Sequence, residues 1–212
     1  MHPPAQDPSA SPVHAAAPPA PAATLVAAIG ATAAALVMLL VPAHEGTVLR
    51  GYRDIAGVVT ACTGNTSAAV LGRRYTPEQC RQLLASDLVK HAQDLACITT
   101  PLQPHERAAL LSFAFNVGPG TPGVKDGLCT LKSGKPSTLR VLANQGDMAG
   151  ACAQLSLWTG VRGRDCALRE NRGFCGGIVR RRADERAMCE GRYLGAPAAA
   201  ASAASAPTRT TP

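Results

Sequence analysis

Residues 22–41, AATLVAAIGATAAALVMLLV, run for 20 positions without a charge. Such a stretch must leave water, either across a bilayer or into a core, and at about 1.5 Å rise per residue its helix just spans a hydrocarbon layer. Eight of the 20 are Ala, with two Thr and one Gly, so insertion is only weakly favourable. Three readings are open. Val41, Pro42 and Ala43 suit a cleavable signal peptide, but the basic leader that should precede it is absent. A permanent anchor needs no cleavage, although the Ala content favours weak retention. A buried core helix is disfavoured, because the run has no polar face and no obvious partner of similar character. Orientation is also open: no Lys or Arg precedes the run while Arg50 and Arg53 follow it, an order that opposes export of the C-terminal side.

The cysteines argue for export. All eight, at 62, 80, 97, 129, 152, 166, 175 and 189, fall between the apolar run and the C-terminal tail. An even number confined to one region suggests disulfides and an oxidising compartment, with the pairing open. No Cys-x2-Cys pair occurs, so a compact metal site is not indicated, and neither metal nor organic cofactor is expected.

Residues 1–21 and 196–212 are Pro, Ala and Ser tails that bury too little apolar surface to offset their ordering entropy, and they are expected to be disordered. Residues 22–41 are expected to form the membrane segment and 42–195 a single catalytic domain. Nearly all of the +7 net charge belongs to that domain. It suits an anionic partner without choosing among nucleic acid, lipid and wall polymer. Against nucleic acid stand three Phe, three Tyr and one Trp with no basic-aromatic interleaving.

Within the domain, residues 51–63 read as a hairpin bent at Gly57. Thr76, Pro77 and Gln79 open a helix with a capping box, and a nearly all-apolar helix runs from Pro104 to Gly118. Two short helices end near Gly146 and Trp158. Residues 160–176 form an irregular excursion that Cys166 and Cys175 can staple, and the last helix starts at Gly177. This predicts an α+β fold, mostly helical, with a small β lobe.

Hydrolysis of a glycosidic bond needs an acid for the leaving oxygen and a second group for the opposite face of the sugar. Glu45 flanks the first helix, where partial burial would raise its pKa. Asp54 sits in the hairpin turn, and Thr60 on the returning strand offers a hydroxyl. Taken alone, each has a plain reading: a helix-end acid, a turn residue and a β-branched strand residue.

The stretch EGTVLRGYRDIAGVVTACTGNT, 45–66, resembles the active-site stretch of the phage-type lysozymes, glycoside hydrolase family 24. That family pairs a Glu with an Asp nine residues on and a Thr six beyond, matching Glu45, Asp54 and Thr60. The likeness continues through YTPEQC, SFAFNVGPG, NQGDMAGACAQLSLWT and RRADERAMC. It implies a lysozyme-like domain with a β-hairpin lobe beside the cleft, cutting the β-1,4 bond between N-acetylmuramic acid and N-acetylglucosamine in peptidoglycan. Glu45 would be the general acid, and Asp54 with Thr60 would stabilise charge and position water. Tyr52 and Asn116 are candidates for cleft support, Asn116 equally being a helix cap.

The likeness is greatest to endolysins with a signal-anchor-release segment, and residues 22–41 look like one. This implies the host export machinery, a single-pass stay in the inner membrane and release to the periplasm for host lysis. A monomer is expected, because the sequence shows no oligomerising element beyond the apolar run. No cysteine lies in the run, so thiol exchange with the anchor is not expected. Asn65 stands where the family commonly has His, which puts a local polar contact in doubt, and Val59 replaces a common aromatic. The 160–176 excursion is longer than usual. Arg180, Arg181 and Arg182 read as a solvated face or a contact to wall polymer. The competing function is a disulfide-bonded wall-binding protein without activity.

Overall fold

A computed structural model describes residues 20–54 and 57–193. The expectations for the two tails fall almost wholly outside those residues.

The apolar run does not form one straight helix. Helices α1 (Pro21–Ile29) and α2 (Ala31–Glu45) meet at Gly30, bent by 116°. Gly30 has φ +87° and ψ 153°, a backbone conformation open to glycine and strained for any L side chain. α1 lies on α3 (Pro77–Ala92), and α2 lies on α4 (Pro104–Val117) and α7 (Arg172–Cys189). Leu25, Ile29, Ala33, Val37, Leu40 and Val41 are buried with Leu84, Leu88, Leu110, Leu111 and Phe113 in one core. The partner that the run lacks at the level of sequence is thus α4, which buries every residue from Ala108 to Ala114. Among the described residues no single helix is long and apolar enough to span a membrane, although the bent pair has the length and composition.

The lobe expected at 51–63 is an antiparallel hairpin of β1 (Val48–Arg53) and β2 (Val59–Cys62), in register at Tyr52↔Thr60 and Arg53↔Val59 and bulged between Val48 and Tyr52. Residues 73–75 line the other edge of β1, with Gly51 N–H donating to Arg73 O (2.9 Å) and Tyr75 N–H to Leu49 O (2.9 Å). Only glycine fits at 51, because a Cβ there would lie 2.0 Å from Val70 O.

The capping box of α3 forms as expected: Thr76 Oγ1 accepts from Gln79 N–H (3.1 Å), and Gln79 Oε1 accepts from Thr76 N–H (2.9 Å). α4 stops at Gly118, whose φ is +76°. The short helices are α5 (Thr138–Asn144), capped by Ser137, and α6 (Met148–Gln154), capped by Asp147. The excursion carries a two-residue-per-strand hairpin, β3 (Gly160–Val161) and β4 (Arg164–Asp165). α7 begins earlier than the sequence suggests, at Arg172, with a break in helical geometry at Cys175.

All eight cysteines are paired. Cys62–Cys80 ties the hairpin to α3, Cys97–Cys129 closes the loop around α4, Cys152–Cys189 joins α6 to the end of α7, and Cys166–Cys175 staples the excursion. In the chain-entropy picture a crosslink restrains the unfolded chain more as its loop lengthens. Replacing Cys152 and Cys189, 37 apart, by Ser is expected to cost about 3–4 kcal/mol. The same change at Cys166 and Cys175, 9 apart, should cost about 1 kcal/mol less, both being measured by urea denaturation.

Candidate active site

Glu45 is the last residue of α2, where the chain turns through Gly46, whose N–H donates to Pro42 O (3.1 Å). Its side chain is 29 % exposed and forms an ion pair with Arg181 of α7. Arg181 is itself buried: Nε donates to Glu185 Oε1 (3.0 Å) and a terminal nitrogen to Ser112 O (3.3 Å). One guanidinium thereby joins the end of α2 to α4 and α7. The expectation that the Arg180–Arg182 run is solvated or wall-facing holds at most for Arg180; Arg181 and Arg182 are core.

Arg182 completes the cluster. It pairs with the other oxygen of Glu185, donates to Asn116 Oδ1, and lies 4.7 Å over the ring of Phe113, which meets Trp158 edge-on. Glu185 is fully buried, and burial pushes its carboxyl upward while Arg182, Arg181 and the Ser112 hydroxyl (2.8 Å) pull it back. Three donors on its two oxygens suit the carboxylate form. Burial brings Arg182 down to about 10. His44, one residue before Glu45, is also lowered, first by burial and then by Arg181; its Nε2 lies 3.3 Å from Asp184 Oδ2.

A cleft of about 440 Å³ opens at Glu45, walled by Thr63, Asp87, Lys90, His91, Phe115 and Asn116 among others. Asn116 therefore reaches the cleft. It does not cap its helix, because its side-chain oxygen is taken by Arg182 while Gly118 N–H closes the last turn on Ala114 O. Asn116, Trp158 and Arg182 also line a neighbouring cavity of about 680 Å³.

Asp54 follows β1 and holds the turn: its Oδ1 accepts from Val58 N–H (2.9 Å), and its own N–H donates to Val58 O (2.9 Å). Thr60 is buried, with its hydroxyl donating to the same Val58 carbonyl (3.2 Å). Asp54 and Thr60 thus converge on one peptide group, and Tyr52 pairs with Thr60 across the ladder. None of these three is among the residues that line the Glu45 cleft. The polar contact in doubt at Asn65 is present: its Nδ2 donates to Asp87 Oδ2 (2.6 Å), and Lys90 Nζ donates to the other oxygen (2.9 Å).

Arg181, Ser112 and Glu185 escape a reading of the sequence. An Arg-Arg-x-x-Glu pattern on a helix is the pattern of a surface ion pair, and only the packing of α2 and α4 buries it.

A mostly helical domain with a β hairpin, and an acid at a helix end facing a polar cleft, define a glycoside hydrolase of the lysozyme type. Residues 42–185 match the family model for phage lysozyme, and the chain belongs to that family. It is a muramidase acting on peptidoglycan. The SAR-endolysin of Bacteriophage PS119 is 34 % identical over 166 residues, covering 76 % of this chain and 87 % of that one. The SAR-endolysin of Enterobacteria phage P21 is 33 % identical over 180 residues, covering 81 % and 96 %. Among solved structures, the active form of the P1 phage endolysin Lyz aligns with a TM-score of 0.57 at 21 % identity, covering 84 % of this chain and 97 % of that one. The muramidase domain of SpmX from Asticaccaulis excentricus aligns at 0.57 and 24 %, covering 72 % and 93 %. These two likenesses concern the fold.

Proposed function

We propose that the chain is an endolysin in which Glu45 donates the proton to the leaving oxygen of the N-acetylmuramic acid–N-acetylglucosamine bond. Asp54 balances the positive charge that develops at the anomeric carbon and, with Thr60, directs the attacking water. Asn116, gripped by Arg182, shapes the wall of the cleft, and Tyr52 supports the strand that carries Thr60. The observation that carries this reading is the place of Glu45, the last residue of α2, at the mouth of a polar cleft. Arg181 holds its side chain there, although α2 before it is apolar apart from Thr32 and His44.

The second part of the proposal concerns location. The SAR-endolysin relatives and the composition of residues 22–41 support a stay in the host inner membrane, reached through the export machinery, and then release to the periplasm. Two arrangements of the same residues are involved, a straight span and the pair α1 and α2 bent at Gly30.

Gly30→Leu separates them. A side chain at φ +87° costs on the order of 1–3 kcal/mol in the bent form, while leucine favours a continuous helix by about 1 kcal/mol. In fractionated cells the variant is expected to stay with the membrane while wild type moves to the periplasm, and wild type should release reducing ends from purified sacculi. Equal partition of the two proteins would remove the location half; sacculi left uncut would remove the chemical half.

A further inference from the structure

The residue before the acid is a buried histidine that the chemistry above does not use. His44 stands in the last turn of α2, and its side chain is 10 % exposed. Its Nε2 lies 3.3 Å from Asp184 Oδ2 without making a hydrogen bond, and this buried nitrogen has no other partner. His44 is not among the residues that line the Glu45 cleft. Whatever it does for the reaction passes through the groups around it.

Those groups are charged. α7 brings Asp184, Arg181 and Arg182 to the imidazole, and α2 itself brings Glu45. α4 packs on α2 with residues 108–117, none of them titratable, its His105, Glu106 and Arg107 lying in the first turn. On the far side of Glu45, α3 adds Asp87, Lys90 and His91 to the wall of the cleft, Lys90 being paired with Asp87 and His91 with Asp94. Asp184 and Glu45 are the two acids that favour a proton on His44, and Glu45 is already held by Arg181. Burial first, and then the two guanidinium groups, keep the imidazole below the ordinary histidine value of 6.5. The buried arrangement is therefore at full strength while His44 is neutral, and it weakens as the pH falls from 6.5 toward the lowered value. A proton there would add a third cation beside Arg181 and Arg182, and the repulsion falls on the guanidinium that holds the acid.

We propose that His44 is a positioning residue for Glu45, acting through Arg181 and Asp184. As a neutral imidazole it keeps the last turn of α2 seated on α7 with Arg181 on the acid. As an imidazolium it draws Asp184, repels Arg181 and unseats that turn. This rests on Glu45 as the acid. Cleavage then falls off in mildly acidic surroundings at a pH set by His44, above the range where carboxylates lose their charge.

The test is the pH dependence of reducing-end release from purified sacculi by the full chain, followed from about pH 4 to 8. His44→Gln carries no charge at any pH. It should be a few-fold slower than wild type at neutral pH, with its acid limb about one unit lower, in the carboxylate range. Asp184→Asn withdraws the charge that favours the proton and should move the limb the same way by about half a unit. In the double variant the limb should match that of His44→Gln alone. A histidine that only packs would lower the rate by one factor at every pH and leave the limb in place. Superposed limbs for wild type and folded His44→Gln overturn the proposal, and so does an Asp184→Asn shift that persists when residue 44 is Gln. Should His44→Gln not fold, Asp184→Asn decides alone, and an unmoved limb there overturns the proposal. Failure of the acid assignment shows separately, as cleavage of sacculi by Glu45→Gln at neutral pH.

Discussion

Glu45→Gln is expected to leave a folded protein that binds sacculi and releases few or no reducing ends, with activity down by at least about 10²–10⁴-fold. The amide has nearly the shape of the acid but no proton to give at the leaving oxygen. It still accepts from Arg181, so the end of α2 should stay seated against α7. Because the Glu45 side chain is partly solvated and Arg181 keeps its bond to Glu185, the stability change should be well below that of the next variant. Turbidity clearing and reducing-end assays on the same preparation read the outcome, with circular dichroism as the control for folding. Near-normal clearing by a folded Glu45→Gln protein would end the assignment of Glu45 as the acid.

Glu185→Gln should have the largest effect on stability, although residue 185 touches no substrate. Its carboxylate is the shared counter-charge of two buried guanidinium groups. Removing one side of a buried charged cluster costs about 3–5 kcal/mol, because what remains is charge without water or partner. For a domain of this size that corresponds to a midpoint lowered by roughly 10 °C. A second variant separates this cause from ordinary loss of packing: Glu185→Leu with Arg182→Met removes opposite charges together and should be markedly more stable than Glu185→Gln alone. Should the single variant unfold with a loss below about 1 kcal/mol, the cluster is not the device that joins α2, α4 and α7.

Much of the local structure was legible because its causes are local. Thr76, Pro77 and Gln79 specify where α3 begins, since a capping box needs only neighbours within one turn. The nearly all-apolar stretch before Gly118 announced a helix buried on most sides, and Gly57 announced the hairpin bend. The even cysteine count announced disulfides and left the partners open, because pairing depends on which distant Cα atoms the fold brings within about 6 Å. The trio Glu45, Asp54 and Thr60 was legible only through resemblance; each residue alone has an ordinary structural role. In the structure, Asp54 and Thr60 do play such a role around Val58 while standing in the family's pattern.

The run 22–41 shows the division most sharply. By itself the sequence determined that these residues must leave water and that an acid follows at position 45. Only the tertiary structure decided that α4 and α7 receive them and that Arg181 meets Glu45. Only it decided, too, that Asp184 comes beside His44. Hydrophobicity is a property each residue carries along the chain, whereas a counter-charge or a packing partner exists only where folding sets remote segments side by side.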